Sequence, residues 1–322
     1  MTLQPRSLTA ASATPGCRGA AGCYTDRFDK LPGLHTIMSF SGPLIDTDWL
    51  QEHLHDPDLR ILDCSVSMQV TDNEYHFISG RDEYDRGHIP GSVFVDVLNE
   101  LCDQGHVLPL MMPPLDQIAQ VMAVRGVANG TRVVLYDRSN HAWAARVWWL
   151  LRVCGFEDAA VLNGGWLKWR QEDRPASTEP GSYPRGHFKP GYRPDLMADK
   201  QEVLQALHDE HVSLIHALSP EEFEGVTSRY DRPGRIPGSD NVYCQSLIDP
   251  ATHAYLPPDR LSQIFDATAA MAADKVITYC GGGIAASCDA LALASLGKTN
   301  VAVYDGSLNE WTLDPDLPME TG

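Results

Sequence analysis

The feature that most constrains this chain is an internal repeat of long period. Gly87-His88-Ile89-Pro90-Gly91-Ser92 returns as Gly234-Arg235-Ile236-Pro237-Gly238-Ser239, and Asn163-Gly164-Gly165-Trp166-Leu167-Lys168-Trp169 returns as Asp305-Gly306-Ser307-Leu308-Asn309-Glu310-Trp311. Between those marks Val133-Val134-Leu135-Tyr136-Asp137 is answered by Val276-Ile277-Thr278-Tyr279-Cys280, in the same order. Solenoid repeats are far shorter, roughly 20–50 residues. The chain therefore reads as two copies of one domain.

Within a copy, strand and helix patterns alternate. Val276 to Tyr279 are β-branched or aromatic and end at a glycine turn, which predicts a strand. Ile284, Cys288, Leu291 and Leu296 then recur near helical spacing up to Gly297, and Val301 to Tyr304 read as a second strand. Strand, crossover helix and strand make a βαβ unit, hence a parallel pair with its functional loop at the carboxyl end of the strands. Arg60 to Cys64 and Ser213 to Ala217 read as the first strands of the two copies. The stretch Ala142 to Cys154, rich in Trp and Leu, suits core and interdomain packing. The expected fold class is α/β, with tandem domains that are each a parallel sheet flanked by helices.

A domain commonly runs ~100–200 residues, so 322 residues accommodate both copies. Residues 1–40, dominated by Ser, Thr, Ala, Gly and Pro, predict a disordered N-terminal extension, with Met38 as a candidate natural start. The first domain is placed at 41–174 and the second at 200–322. Residues 175–199 hold Pro175, Pro180, Gly181, Pro184, Gly186, Pro190, Gly191 and Pro194, and are expected to form an extended linker over the surface.

The net charge of −18 argues against nucleic acid or an anionic membrane surface as partner. No apolar run reaches spanning length, since Arg146 and Arg152 interrupt the stretch from Trp143 to Phe156, and no secretory apolar region is present. The expectation is a soluble, cytoplasmic protein. Eight cysteines without paired CxxC spacing resemble reduced thiols more than a disulfide framework or zinc site. Cys64, Cys102, Cys154, Cys244 and Cys288 lie in or beside apolar runs and read as small buried hydrophobes.

Cys280 differs from these. It ends a strand and is followed by Gly281, Gly282 and Gly283 and then by a helix beginning Ile284-Ala285-Ala286. Glycines let the backbone curl so that successive N–H groups point inward as an anion nest, and the helix amino terminus adds positive partial charge. Such a site is expected to favour a thiolate, the nucleophilic form of cysteine. The loop lacks the Lys-Ser/Thr of a P-loop and any GxGxxG spacing. In the first copy Asp137 replaces the cysteine and Arg138-Ser139-Asn140 replaces the glycines, so that copy has lost the nucleophile and, without glycines, is expected to lack the nest.

A duplicated α/β domain with Ile-Pro-Gly turns, a Cys-Gly-rich loop in the second copy and Asp-Gly-Ser…Glu-Trp near the end resembles the two-domain rhodanese family, over about residues 43–318. That family comprises thiosulfate and 3-mercaptopyruvate sulfurtransferases. The resemblance implies that Cys280 takes a sulfane sulfur as a persulfide and passes it to cyanide, a thiol or a thioredoxin-like acceptor, with no metal or organic cofactor. Gly281 to Ala286 would cradle the sulfur.

Family members often carry an Arg that binds donor anions before the Phe of the second-domain loop, and here Glu222 precedes Phe223. Arg229, Arg232 and Arg235 are nearby substitutes. The proposed Ser–His–Asp relay of mercaptopyruvate enzymes has Gly282 at its Ser position, leaving His88 and Asp82 as candidates without a third member. His216 stands where the family has Asp on the first strand of the second domain. Phosphatases sharing the fold need an Arg at the position of Ala286, which argues against that chemistry. The loop carries no cation, unlike those of thiosulfate enzymes, so 3-mercaptopyruvate is the expected donor. The alternatives are a thiosulfate:cyanide sulfurtransferase and a non-catalytic binding module.

Overall fold

The computed structural model describes residues 39–71 and 74–322. The expectations of a disordered extension and of a start at Met38 fall mainly outside those residues. Two five-stranded, all-parallel sheets follow the repeat strand for strand. In the first copy β1 (Leu44–Ile45), β2 (Leu59–Asp63), β5 (Val93–Phe94), β6 (Arg132–Tyr136) and β7 (Ala159–Leu162) lie in the order β1-β7-β6-β2-β5. In the second, β8 (Met197–Ala198), β9 (Val212–His216), β10 (Asp240–Asn241), β11 (Lys275–Tyr279) and β12 (Val301–Tyr304) lie in the order β10-β9-β11-β12-β8. The central strands β6 and β11 are buried on both faces, which explains their unbroken Val, Ile, Leu and Tyr runs.

The recurring motifs have a common structural cause. The Tyr136 hydroxyl at the end of β6 accepts from the Ile89 N–H at 3.3 Å and bonds the Ser92 hydroxyl at 2.9 Å. At the end of β11 the Tyr279 hydroxyl accepts from the Ile236 N–H at 3.0 Å and donates to the Ser239 Oγ at 2.8 Å. Each tyrosine thus clamps an Ile-Pro-Gly-Ser turn to the sheet. Trp169 and Trp311 likewise donate their indole N–H to the carbonyls of Pro175 and Pro318, turning the chain back over its own copy. Buried tyrosine and tryptophan need such partners for their polar atoms.

One element was not anticipated. An antiparallel hairpin of β3 (Val66–Thr71) and β4 (Glu74–Ser79) is inserted in the first copy only. The alternation Val66, Met68, Val70 was its signal. Residues 174–193 run without regular structure along the first copy and bond it through Gly181 N to Ser92 O (3.0 Å), Gly186 N to Ala123 O (2.7 Å) and Gly191 N to Cys154 O (2.8 Å).

The two copies meet along the helices Ala142–Val153 and Ile284–Ser295, which pack on each other and are almost wholly buried. This places the amino-terminal turn of each helix, and the loop before it, at the junction of the copies. No helix of the described residues is long and apolar enough to cross a membrane.

Candidate active site

Cys280 leaves β11 with its N–H donated to the Ser307 hydroxyl at 3.1 Å, while its carbonyl accepts from Leu308 N at 3.0 Å and that of Gly281 accepts from Asn309 N at 2.9 Å. The Asp305-Gly306-Ser307 turn therefore holds the first peptides of the loop. Ser307 adopts φ 48°, a left-handed conformation unusual for a side chain other than glycine, and its hydroxyl also donates to Tyr304 O at 2.6 Å. In the first copy the equivalent residue is Gly165, at φ 52°.

The three glycines serve different purposes. Gly283 sits at φ 76°, and a Cβ there would fall 2.6 Å from the Asp305 Oδ1. A Cβ on Gly281 would collide with the Tyr230 hydroxyl, and one on Gly282 would lie 2.9 Å from the Asn309 carboxamide nitrogen. Helix Ile284–Ser295 starts at once, and the N–H groups of Ala286, Gly282 and Ala285 act on the Cys280 sulfur.

Those donors favour a thiolate, as the sequence leads one to expect, but they do not prevail. Cys280 is only 2% exposed, and burial pushes its thiol above the ordinary range despite the three N–H groups, with the nearby Cys244 adding to the rise.

The first copy corrects a second expectation. Its loop builds the same ring without glycines: Asp137 Oδ1 accepts from the N–H of Ser139 (2.9 Å) and His141 (3.2 Å), and Oδ2 from Trp143 (3.1 Å) and Ala144 (3.0 Å). His141 takes the left-handed conformation, φ 66°, that Gly283 takes in the second copy. The nest is present, with the chain's own carboxylate inside it.

The opposite wall of the Cys280 loop belongs to the first copy. A Cβ on Gly282 would meet Pro109 O at 3.8 Å and Leu110 Cβ at 3.9 Å. This strap is tied across the junction by one buried ion pair: Arg146 donates to Asp305 Oδ1 at 2.5 Å and to Leu110 O at 2.9 Å, and Asp305 Oδ2 accepts from Met112 N at 2.7 Å.

The structure places the other sequence candidates as follows. Arg229 is 39% exposed and paired with Glu222 at 2.8 Å, directly before Tyr230 in the chain. Arg232 is committed to the carbonyls of Trp311, Thr312, Asp314 and Leu317, so it anchors the carboxyl-terminal segment. Arg235 stacks 4.3 Å over Phe223 and binds Glu320 at 2.6 Å and Gly322 O at 3.1 Å, again a structural commitment. His88 lies in the first copy, stacked on Tyr84 and bonded through its ring nitrogens to Tyr84 O and Glu179 O. Asp82 is exposed on the helix Arg81–Arg86. Neither takes part in the wall opposite Gly282, where Leu110 stands.

His216 is buried at the end of β9 beside Tyr279 and Phe223, and burial, followed by the Arg235 charge, pulls it down to about 3. Tyr230, Asn309, Leu110 and Arg146 escaped the sequence reading. Arg146 alone had a signal, as the one charge in the otherwise apolar run from Ala142 to Leu151. No cluster of His, Cys, Asp or Glu among the described residues is arranged to hold a metal ion.

Comparison with known proteins agrees with this geometry. The family model described as rhodanese-like domain matches residues 46–172 and 199–314. The chain is 32% identical over 280 residues to the 3-mercaptopyruvate sulfurtransferase of Escherichia coli K12, covering 86% of this chain and 97% of that protein. It is 31% identical over 278 residues to the thiosulfate sulfurtransferase of Cricetulus griseus, covering 83% and 91% respectively. The crystal structure of SseA from Escherichia coli, described as a 3-mercaptopyruvate sulfotransferase, superimposes with a TM-score of 0.73 at 31% identity, over 83% of this chain and 99% of that one. With two rhodanese-like domains side by side and sulfurtransferases among its relatives over most of its length, the chain belongs to the rhodanese family and is a sulfurtransferase.

Proposed function

We propose that the chain moves sulfur from 3-mercaptopyruvate through a persulfide on Cys280 to a thiol or cyanide acceptor, with 3-mercaptopyruvate a better donor than thiosulfate. The Cys280 thiolate attacks the donor's sulfur. The donor's C–S bond breaks, and its electron pair leaves on the pyruvate fragment as an enolate that takes up a proton. The transferred sulfur remains on Cys280 as the outer atom of a persulfide. An acceptor thiolate then attacks that outer sulfur, the S–S bond breaks, and Cys280 returns as thiolate while the acceptor leaves as a persulfide. With cyanide the same attack yields thiocyanate. The N–H groups of Gly282, Ala285 and Ala286 hold the charge at each stage, in the way an oxyanion hole does.

The observation that carries the donor preference is the uncharged loop. Gly281, Gly282, Gly283 and Ile284 offer no cation to a compact dianion, and the space beside the first two glycines is taken by Tyr230 and Asn309. Charge-assisted hydrogen bonds contribute roughly 1.5–3 kcal/mol each, so a loop without them should turn over thiosulfate at least about tenfold less well than one with two. The test is kcat/KM for both donors with one acceptor, together with intact mass after donor incubation. One added sulfur atom removable by cyanide, and a mercaptopyruvate preference that narrows in Gly282→Lys, are expected. A thiosulfate preference in the wild type would overturn the donor assignment.

A further inference from the structure

Two neutral hydrogen-bond donors converge on the Cys280 loop without partners of their own. The Tyr230 hydroxyl occupies the place a Cβ on Gly281 would take, and the Asn309 carboxamide nitrogen lies 2.9 Å from where a Cβ on Gly282 would stand. Among the described residues neither group makes a side-chain hydrogen bond, although the backbone around each is tied down. Ser228 Oγ accepts from Tyr230 N and donates to Tyr230 O, both at 3.1 Å, and Asn309 N donates to Gly281 O at 2.9 Å. Burial first, and the Cys280 thiolate second, push the Tyr230 phenol well above its usual range. At neutral pH it is therefore an O–H donor and never a phenolate.

From this convergence we infer that Tyr230 and Asn309 form the donor-binding pair of the site, hydrogen-bonding the keto and carboxylate oxygens of a 3-mercapto-2-oxo acid donor while its sulfur meets Cys280. The inference rests on the proposed persulfide reading. Neutral donors suit it chemically. They stabilise an oxygen that gains charge as the C–S bond breaks, without binding the resting anion so tightly that the gain is lost. They also explain the glycines, because a side chain at 281 or 282 would displace the very groups that contact the donor. Arg229, next to Tyr230 in the chain, has its charge offset by Glu222 at 2.8 Å, so the Tyr230–Asn309 pair remains the neutral donor set of this wall.

The experiment separates the two half-reactions of Tyr230→Phe and Asn309→Ala. Persulfide formation from 3-mercaptopyruvate is followed in single turnover by mass. Discharge of the preformed persulfide to cyanide is followed separately. Each substitution should lower kcat/KM for persulfide formation about tenfold, the double variant about a hundredfold, and discharge should stay within about twofold of wild type. Tyr230→Phe keeps the ring and its packing, so thermal unfolding serves as a control on the fold. Unchanged persulfide formation, or equal slowing of both half-reactions, would overturn the donor-pair inference while leaving the persulfide reading intact. Transfer by Cys280→Ser at the wild-type rate would instead remove the persulfide reading itself.

Discussion

Arg146 of the first copy donates to Asp305 of the second at 2.5 Å, with the two side chains 0% and 4% exposed. Asp305 opens the turn that grips the Cys280 peptide, and Arg146 holds the Leu110 carbonyl in the facing strap. One ion pair thus links the cysteine loop, the strap and the helix junction. Removing a single partner of a buried pair leaves an uncompensated charge and costs roughly 3–5 kcal/mol. Arg146→Met and Asp305→Asn should each destabilise the protein by about that much in urea unfolding, and the double variant by clearly less than the sum. Additive losses would show that the two side chains do not act on each other.

Cys280 should be the only cysteine whose replacement abolishes transfer, because among the cysteines of the described residues it alone sits in a ring of N–H groups at a strand-to-helix junction. Cys280→Ser should be inactive with an unchanged melting temperature, while Cys17→Ser and Cys23→Ser keep full activity. Full activity in Cys280→Ser would end the assignment.

The raised thiol of Cys280 sets the direction of its pH dependence. The thiolate is the reactive form, so alkylation of the free enzyme by iodoacetamide should keep accelerating through and beyond the ordinary thiol range near pH ~8.5. A rate that levels off by neutral pH would mean that the N–H cradle outweighs burial.

His216 bears on acid stability. Its folded value, about 3, lies below an unfolded value near ~6.5. In that interval the unfolded chain binds a proton that the folded chain does not, so stability is full above the upper limit and is lost as pH falls through the window. His216→Phe should flatten the dependence of unfolding free energy on pH between about 6.5 and 3 relative to wild type. Parallel curves for the two proteins would count against a buried neutral histidine.

Asp137 fills its own nest with four N–H bonds, and replacing it by an apolar side chain removes the acceptor of all four. Asp137→Ala should therefore destabilise by several kcal/mol, on the order of the roughly 1.5–3 expected for each bond to a charged group, and Asp137→Asn by less. Equal melting temperatures for wild type and Asp137→Ala would show that water satisfies the ring.

The sequence by itself determined the architecture and where in it the Cys280 loop lies. A repeat of whole motifs in one order allows only a duplicated domain, and strand patterns joined by crossover helices allow only parallel pairing, so the two sheets and the Cys280 loop were legible before any coordinates. The hairpin of β3 and β4 has its trace in the sequence too, in the alternation of Val66, Met68 and Val70. What only the tertiary structure decided is which side chains meet around that loop. Arg232 and Arg235 looked like anion binders, yet the returning carboxyl-terminal segment occupies them; His88 looked like a relay member, yet Leu110 stands opposite Gly282. Tyr230, Asn309 and Arg146 reach the site from segments far from Cys280 in the chain or across the junction of the copies, and no local pattern encodes such meetings. The state of the thiol was hidden for the same reason. The N–H cradle is a local consequence of glycines and a helix start, but the burial that outweighs it is supplied by the whole surrounding fold.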